Sequence, residues 1–341
     1  MYDPRYIITP DLLNNITRIH KLIAGLNNQH FAAPILMELL NSARSLSTHA
    51  STSIEGNPLP LTEVKKLLKT TPARMRDSEK EVVNYNQTLI WLDEQIDTLN
   101  LSIDLKLILK VHEGVTRGLL PTFQSGHIRQ FPVVVNDPRT REPAYLAPEY
   151  KEVPLLLKSL MEFIDKSKNT LDPLLLAGIF HKQFILIHPF MDGNGRTTRL
   201  LTKILLAKLG INTFKLFSFE NYYNQNITKY FATVGEQGDY YELSPGIDFT
   251  SWLIYFTDGI IDELVRVGAI LSVSAKNSQD LRPHHHKILT YLSTHPTISD
   301  KEYKKLVKRG DSTRAADFTY LLNLNLLIRH SGGPSTYYTL K

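Results

Sequence analysis

Residues 187–201, Ile-His-Pro-Phe-Met-Asp-Gly-Asn-Gly-Arg-Thr-Thr-Arg-Leu-Leu, gather in one short span the side chains that phosphate chemistry needs. His188 is the one group here able to accept a proton near neutral pH. Asp192 is a hard oxygen ligand, suited to a Mg²⁺ ion bridging phosphates. Gly193 and Gly195 flank Asn194 and let the backbone approach an anion closely. Just after Gly195 a helical pattern opens, and a helix N-terminus offers free N–H groups and a positive dipole end to phosphate. Arg196 and Arg199 are three apart, so they share a helix face and can both reach phosphate oxygens. Each residue alone has an ordinary use: a turn glycine, a core histidine, a surface arginine. Phe190 reads as a core anchor for the loop and Met191 as filler. Together the set describes nucleotide phosphate chemistry. The Gly-Lys-Ser/Thr of a P-loop is absent, so P-loop hydrolysis is not expected.

The elements that must position this stretch read mostly as helices. Apolar residues recur at helical spacing over 9–26, 33–51, 61–68, 79–96, 104–119, 150–167, 172–187, 196–210, 220–235 and 248–271. Thr9 is placed to cap the first, and Gly56, Pro58 and Pro60 end the second. Residues 130–148 break the pattern with two strand-like runs around a polar turn, which predicts a hairpin. The polar stretch 272–286 is the best boundary between domains. Beyond it, three short helices, with Ser299 and Ser312 as caps, precede two strand-like pieces around Ser-Gly-Gly-Pro. That is the order of a winged helix-turn-helix. The histidines at 284–286 point in different directions on a helix and make a poor metal site.

Composition narrows the class. The 341 residues are 42% hydrophobic and 21% charged, ordinary values for a folded protein of two or three domains. Cysteine is absent, which excludes disulfides and thiol catalysis. The start lacks a signal-peptide pattern and no apolar run approaches membrane-spanning length, so a cytoplasmic protein without a membrane partner is expected. The net charge of +5 is uneven: residues 281–341 hold ten Lys or Arg against four Asp or Glu. A basic module of this kind suits an acidic partner, nucleic acid first.

The stretch His188-Pro-Phe-Met-Asp-Gly-Asn-Gly-Arg-Thr-Thr-Arg199 resembles the signature of the Fic domain, matching it at every specified position. The similarity extends over roughly residues 40–265, with 126–135 and 144–154 resembling the two sides of the family's flap hairpin. The resemblance implies an all-α Fic core with a small β-hairpin flap. It implies transfer of AMP from ATP to a Tyr, Thr or Ser hydroxyl of a target protein, or self-modification. His188 would deprotonate the hydroxyl and Asp192 would hold Mg²⁺. Asn194 with the Gly193 and Gly195 amides would cradle the α-phosphate, and Arg196 and Arg199 the β- and γ-phosphates. Tyr230 lies where the family usually has a Tyr-Tyr pair near the adenine; Phe231 departs from it. Ser51, Glu55 and Gly56 fit the family's inhibitory motif, in which the glutamate pairs with the second signature arginine, here Arg199. The expected organisation is a helical region 1–100 carrying the motif at 51–56, a Fic core 101–270, and a winged helix 281–341. AMP removal or other nucleotide transfer is the rival within the enzyme class. A DNA-binding regulator with a nucleotide-sensing core is the rival outside it, with Arg314 as base reader and 304–309 on phosphates. Protein contacts or homodimerisation through the winged helix is the other use of the tail.

Overall fold

The computed structural model describes residues 2–27, 33–98, 103–136, 142–211, 218–279, 281–324, 326–332 and 335–340. The chain divides into two compact units, Met1–Leu26 with Ala43–Val265, and Asn27–Ser42 with Arg266–Lys341. Five helices come first: α1 (Pro10–Asn27), α2 (Ala33–Ile54), α3 (Leu61–Lys69), α4 (Asp77–Thr98) and α5 (Leu105–Thr116). A small flap follows, β1 (Val134–Asn136) antiparallel to β2 (Pro143–Leu146). Its turn, residues 137–141, lies outside the described residues. Then come α6 (Val153–Ser167), α7 (Pro173–Ile187), α8 (Asn194–Lys208), α9 (Phe219–Gln225), α10 (Ile227–Val234), β3 (Gly238–Asp239), α11 (Tyr240–Leu243) and α12 (Thr250–Gln279). β3 runs parallel beside β2 and widens the flap to three strands. The described residues are thus mostly helical, with a small β flap, as the all-α reading expects.

Local chemistry sets the helix starts. Thr9 Oγ1 accepts from the Leu12 N–H, Asp104 from Leu107, and Asp172 from Leu174 ahead of Pro173 at the first turn. α7 is apolar on every face, and from Leu174 to Ile187 only Ile185 is less than buried. Such a helix belongs at the centre of a bundle. α6, α8 and α10 pack against it, and α4 and α5 pack against α8. α8 is buried almost throughout as well, yet Asn194, Arg196, Thr198, Arg199, Thr202 and Lys203 are among its buried residues. Polar side chains are buried only where partners await them.

Some boundaries differ from the sequence pattern. Residues 220–235 form two helices, because Asn226 leaves helical geometry and returns both its N–H and its side-chain amide to the Tyr222 carbonyl. The polar stretch 272–286 is helical as far as Gln279, and the compact units part earlier, at Val265. Polarity without Gly or Pro does not end a helix.

Beyond α12 stand α13 (Pro283–Thr294), β4 (Ile298–Ser299), α14 (Asp300–Leu306), α15 (Asp311–Asn323), β5 (Leu327–Gly332) and β6 (Ser335–Leu340). The strands form an antiparallel sheet in the order β4-β6-β5 over Ile288, Leu292, Tyr303, Phe318 and Leu327. Residues 333 and 334, in the expected turn, lie outside the described residues. Ser299 caps α14 in a reciprocal box with Glu302. Ser312 does not cap α15; Gly310 holds that position and Ser312 lies in the first turn. Arg314 is 2% exposed and bonds Asp300, Asp311 and the Arg309 carbonyl, so it is spent inside the fold and cannot read a base. The histidines are also corrected in part. His284 and His285 converge on Asp317 Oδ1 at 3.2 and 3.4 Å, because they sit in the first turn of α13 opposite α15. Arg309 already neutralises that carboxylate at 2.9 Å, and His285 Nδ1 accepts the Arg282 N–H. The histidines therefore meet a carboxylate that Arg309 already pairs.

Candidate active site

The loop between α7 and α8 is held from three sides. His188 caps α7 in the left-handed region, φ 49°, and is the one non-glycine with positive φ among the described residues. That conformation costs about 1–3 kcal/mol and persists only where neighbours enforce it. The His188 N–H donates to Phe184 O, and Arg129 Nε donates to the His188 carbonyl at 2.8 Å. Nδ1 of the imidazole sits 3.2 Å from the Ile185 carbonyl. A carbonyl only accepts, so Nδ1 carries the hydrogen and Nε2 keeps its lone pair. Burial holds the imidazole pKa down, to about 4, so the ring is neutral at pH 7.

Arg129 was not singled out by sequence reasoning, and it ties the loop to the flap. Besides His188 it donates to the carbonyls of Phe131, at 3.0 Å, and Pro148, and its N–H bonds Pro189 O. It is 3% exposed. Arg129→Met keeps the packing and orphans three carbonyls, so we expect a loss of about 2–4 kcal/mol, read by urea denaturation. A loss within about 0.5 kcal/mol would show the loop to be held elsewhere.

His112, on α5, supports the loop from below. Its Nε2 donates to the Asp192 carbonyl at 2.9 Å, its Nδ1 accepts the Gly126 N–H, and its ring stacks on Phe190 at 3.7 Å. Burial lowers its pKa to about 4, which keeps this neutral tautomer. No spacing pattern pointed to it. Phe190 is fully buried, as expected of an anchor.

Asn194 faces inward. Its amide accepts the Phe190 N–H and donates to the Phe190 carbonyl, at 3.0 and 2.9 Å. Both ends are used, so the side chain staples the loop rather than reaching an anion; only its backbone belongs to the open helix end. α8 begins at Asn194, not after Gly195, with Gly193 as its cap at φ 81°. A Cβ on Gly193 would stand 2.8 Å from Thr116 Cγ2. Gly195 turns its bare face to the N-terminal end of α8, where a Cβ would overlap the Glu55 carboxylate.

The two arginines each meet carboxylates. Arg196 Nη1 lies 2.8 Å from Glu81 Oε1, and its Nη2 lies 3.1 Å from both oxygens of Asp192. Glu81, on α4, is another residue the sequence did not reveal; burial raises its pKa against the pull of Arg196. Asp192 keeps 58% of its side chain exposed and so retains open lone pairs. Arg199 is fully buried. It donates to Ser51 Oγ and Ser51 O at 2.7 and 2.8 Å, and to Glu55 Oε1 at 2.7 Å. The Glu55 pair is single-pronged, through Nη2, because Nε serves Ser51 Oγ and Nη1 faces the Tyr230 hydroxyl. Ser47 and Ser51 on α2 and Glu55 just past its end recur every four residues, and Arg199 and Lys203 on α8 answer them. Lys203 donates to Ser47 Oγ at 2.6 Å and pairs with buried Glu220 at 3.2 Å. Gly56, φ 92°, ends α2 in a Schellman turn: its N–H bonds Ser53 O and that of Asn57 bonds Thr52 O.

Tyr230 is 1% exposed, stacked on Tyr223, and meets the site only through its hydroxyl, 3.4 Å from Arg199 Nη1 and 3.2 Å from His181 Nε2. Its ring is closed to an adenine; it supports Arg199.

Residues 102–206 match the family model described as Fic/DOC family, so the chain carries a Fic domain. It is similar to "Protein adenylyltransferase fic-1" of Caenorhabditis elegans, 29% identical over 197 residues, which cover 56% of this chain and 37% of that protein. It is similar also to "Protein adenylyltransferase Fic" of Drosophila grimshawi, 28% identical, covering 53% and 36%. The match thus spans just over a third of these relatives' length. A Fic family protein from Desulfovibrio desulfuricans G20 shares the fold at TM-score 0.68 and 20% identity, over 100% of this chain and 98% of that one. Residues 134–508 of the C. elegans protein do so at TM-score 0.61 and 24% identity, over 77% and 73%.

Proposed function

We propose that this chain, bearing a Fic domain, is a protein adenylyltransferase that its own Glu55 holds in a low-activity state. One observation carries the reading most: His188, with Nδ1 bonded and Nε2 left to accept a proton, stands on the loop that leads into the N-terminus of α8, backed by Arg196 and Arg199. A target Tyr, Thr or Ser hydroxyl attacks the α-phosphorus of ATP, the bond to the bridging oxygen breaks, and pyrophosphate leaves. His188 Nε2 takes the hydroxyl proton. The N–H groups at the start of α8 face charge on the α-phosphate, and the arginines take the β- and γ-phosphates, so positioning and charge neutralisation dominate. Asp192, exposed and a hard donor, fits Mg²⁺, which binds through one or two carboxylates plus phosphates and would supply charge neutralisation there. Phe131, Val134 and Leu146, 59%, 48% and 41% exposed around the flap, offer apolar contacts to a target segment. In this reading Glu55 occupies the arginine and the helix end that the γ-phosphate needs.

The test is incubation with α-³²P-labelled ATP, alone and with a cell lysate: label on protein supports transfer, and free labelled AMP alone points to hydrolysis.

The low histidine pKa gives a pH signature. A depressed pKa means the base stays unprotonated until acid, and protonation through about 4 removes both activity and native-state stability. Labelling by the Glu55→Gly variant should therefore change less than about twofold between pH 8 and 6. A midpoint near the ordinary histidine value of 6.5 would contradict the assignment.

A further inference from the structure

We propose that Glu81 is a positioning residue that couples the two arginines, orienting Arg196 with one carboxylate oxygen and clamping the Glu55 segment with the other. This regulation rests on the transfer reading above. Glu81 Oε1 holds Arg196 Nη1 at 2.8 Å, and Glu81 Oε2 accepts from Asn57 Nδ2 at 2.7 Å. Asn57 is 8% exposed, and its amide is fully committed: Nδ2 donates also to Ser78 O, and Oδ1 accepts the Leu59 N–H. Its own N–H closes the turn that ends α2. Asn57 lies two residues after Glu55, so fixing it fixes where the Glu55 carboxylate stands over α8. The side chain of Glu81 is 15% exposed, and among the described residues Arg196 is the one cation paired with it, so Arg196 and Asn57 share it there. The same carboxylate therefore does two opposed things. It strengthens closure by Glu55, and it keeps Arg196 aimed for phosphate once Glu55 has left.

That opposition separates the coupling from a merely structural role. Asn57→Asp keeps the bond to Leu59 and sets a second carboxylate against Glu81. It should raise the labelling rate of the wild-type background about fivefold or more, and leave that of the Glu55→Gly background unmoved. Glu81→Gln in the Glu55→Gly background should raise the KM for ATP about fivefold with kcat little changed. Hydrogen exchange reads the clamp without any activity: the amides of Gly56 and Asn57 should exchange at least about tenfold faster in Asn57→Asp and Glu81→Gln. Unchanged exchange overturns the clamp whether or not the protein labels anything. Faster exchange with equal rate effects in both backgrounds overturns the coupling to Glu55. If Glu55→Gly neither labels protein nor binds ATP by calorimetry, the transfer reading fails, and exchange alone then decides the clamp.

Discussion

Glu55→Gly is expected to raise the initial rate of AMP incorporation roughly ten- to hundredfold, the range that losing a charge-assisted pair of about 1.5–3 kcal/mol would produce. The carboxylate lies 2.7 Å from Arg199 and overlies Gly195 at the start of α8, so removing it opens both the arginine and the helix end. Glycine also suits the residue before Gly56 without adding a side chain to the vacated space. Arg199→Ala removes the same lock together with the contact for the γ-phosphate, and leaves Ser51 Oγ and the Ser51 carbonyl without their donor, so it should bring no comparable gain. In the double variant the gain from Glu55 should largely vanish, which is the non-additivity of a direct pair. Initial labelling rates of the four proteins decide this. An unchanged rate for Glu55→Gly ends the inhibitory reading, and a gain that survives loss of Arg199 moves the partner of Glu55 elsewhere.

His188→Ala, placed on the Glu55→Gly background, should lower transfer by about 10²–10⁴, the usual worth of a positioned general base. Nucleotide affinity should stay within about twofold, because the imidazole's hydrogen bond goes to the Ile185 carbonyl and its proposed part is to take a proton, not to hold phosphate. Stability should move little: alanine inherits the same left-handed strain, and the bond from Arg129 goes to the backbone, which remains. Labelling rates beside calorimetric ATP titrations test this. A variant that still labels at near the parental rate removes His188 from the base role, whereas lost ATP binding would make it a structural support for the loop.

The chemistry of residues 188–199 was readable in order because one turn and one helix start hold it, and local backbone rules govern both. Gly193 and Gly195 announced the turn, and the arginine spacing announced a shared face. Most helices were legible for the same reason, save where Asn226 diverts its own hydrogen bonds, where a polar stretch continues α12, and at the four-residue α11. Roles requiring direction were not legible. Asn194 could as well have faced an anion as the Phe190 backbone, and Arg314 a base as well as Asp300. Tyr230 was expected beside the adenine, and only packing shows that its ring is enclosed and its hydroxyl does the contacting.

Sequence by itself determined the helical make-up, the loop-to-helix motif and the candidate base, since each rests on residues within a few turns of one another, and the family resemblance added the Ser51–Glu55–Gly56 stretch. The family resemblance named Arg199 for Glu55, 144 residues away, and tertiary structure alone decided the other partners: Arg129 with the His188 carbonyl, His112 beneath Asp192, and Glu81 between Arg196 and Asn57. Local order follows from backbone sterics and periodicity, which a short window contains. A buried charge takes whichever opposite group the packed helices bring within 3 Å, and nothing in its neighbours along the chain specifies that group.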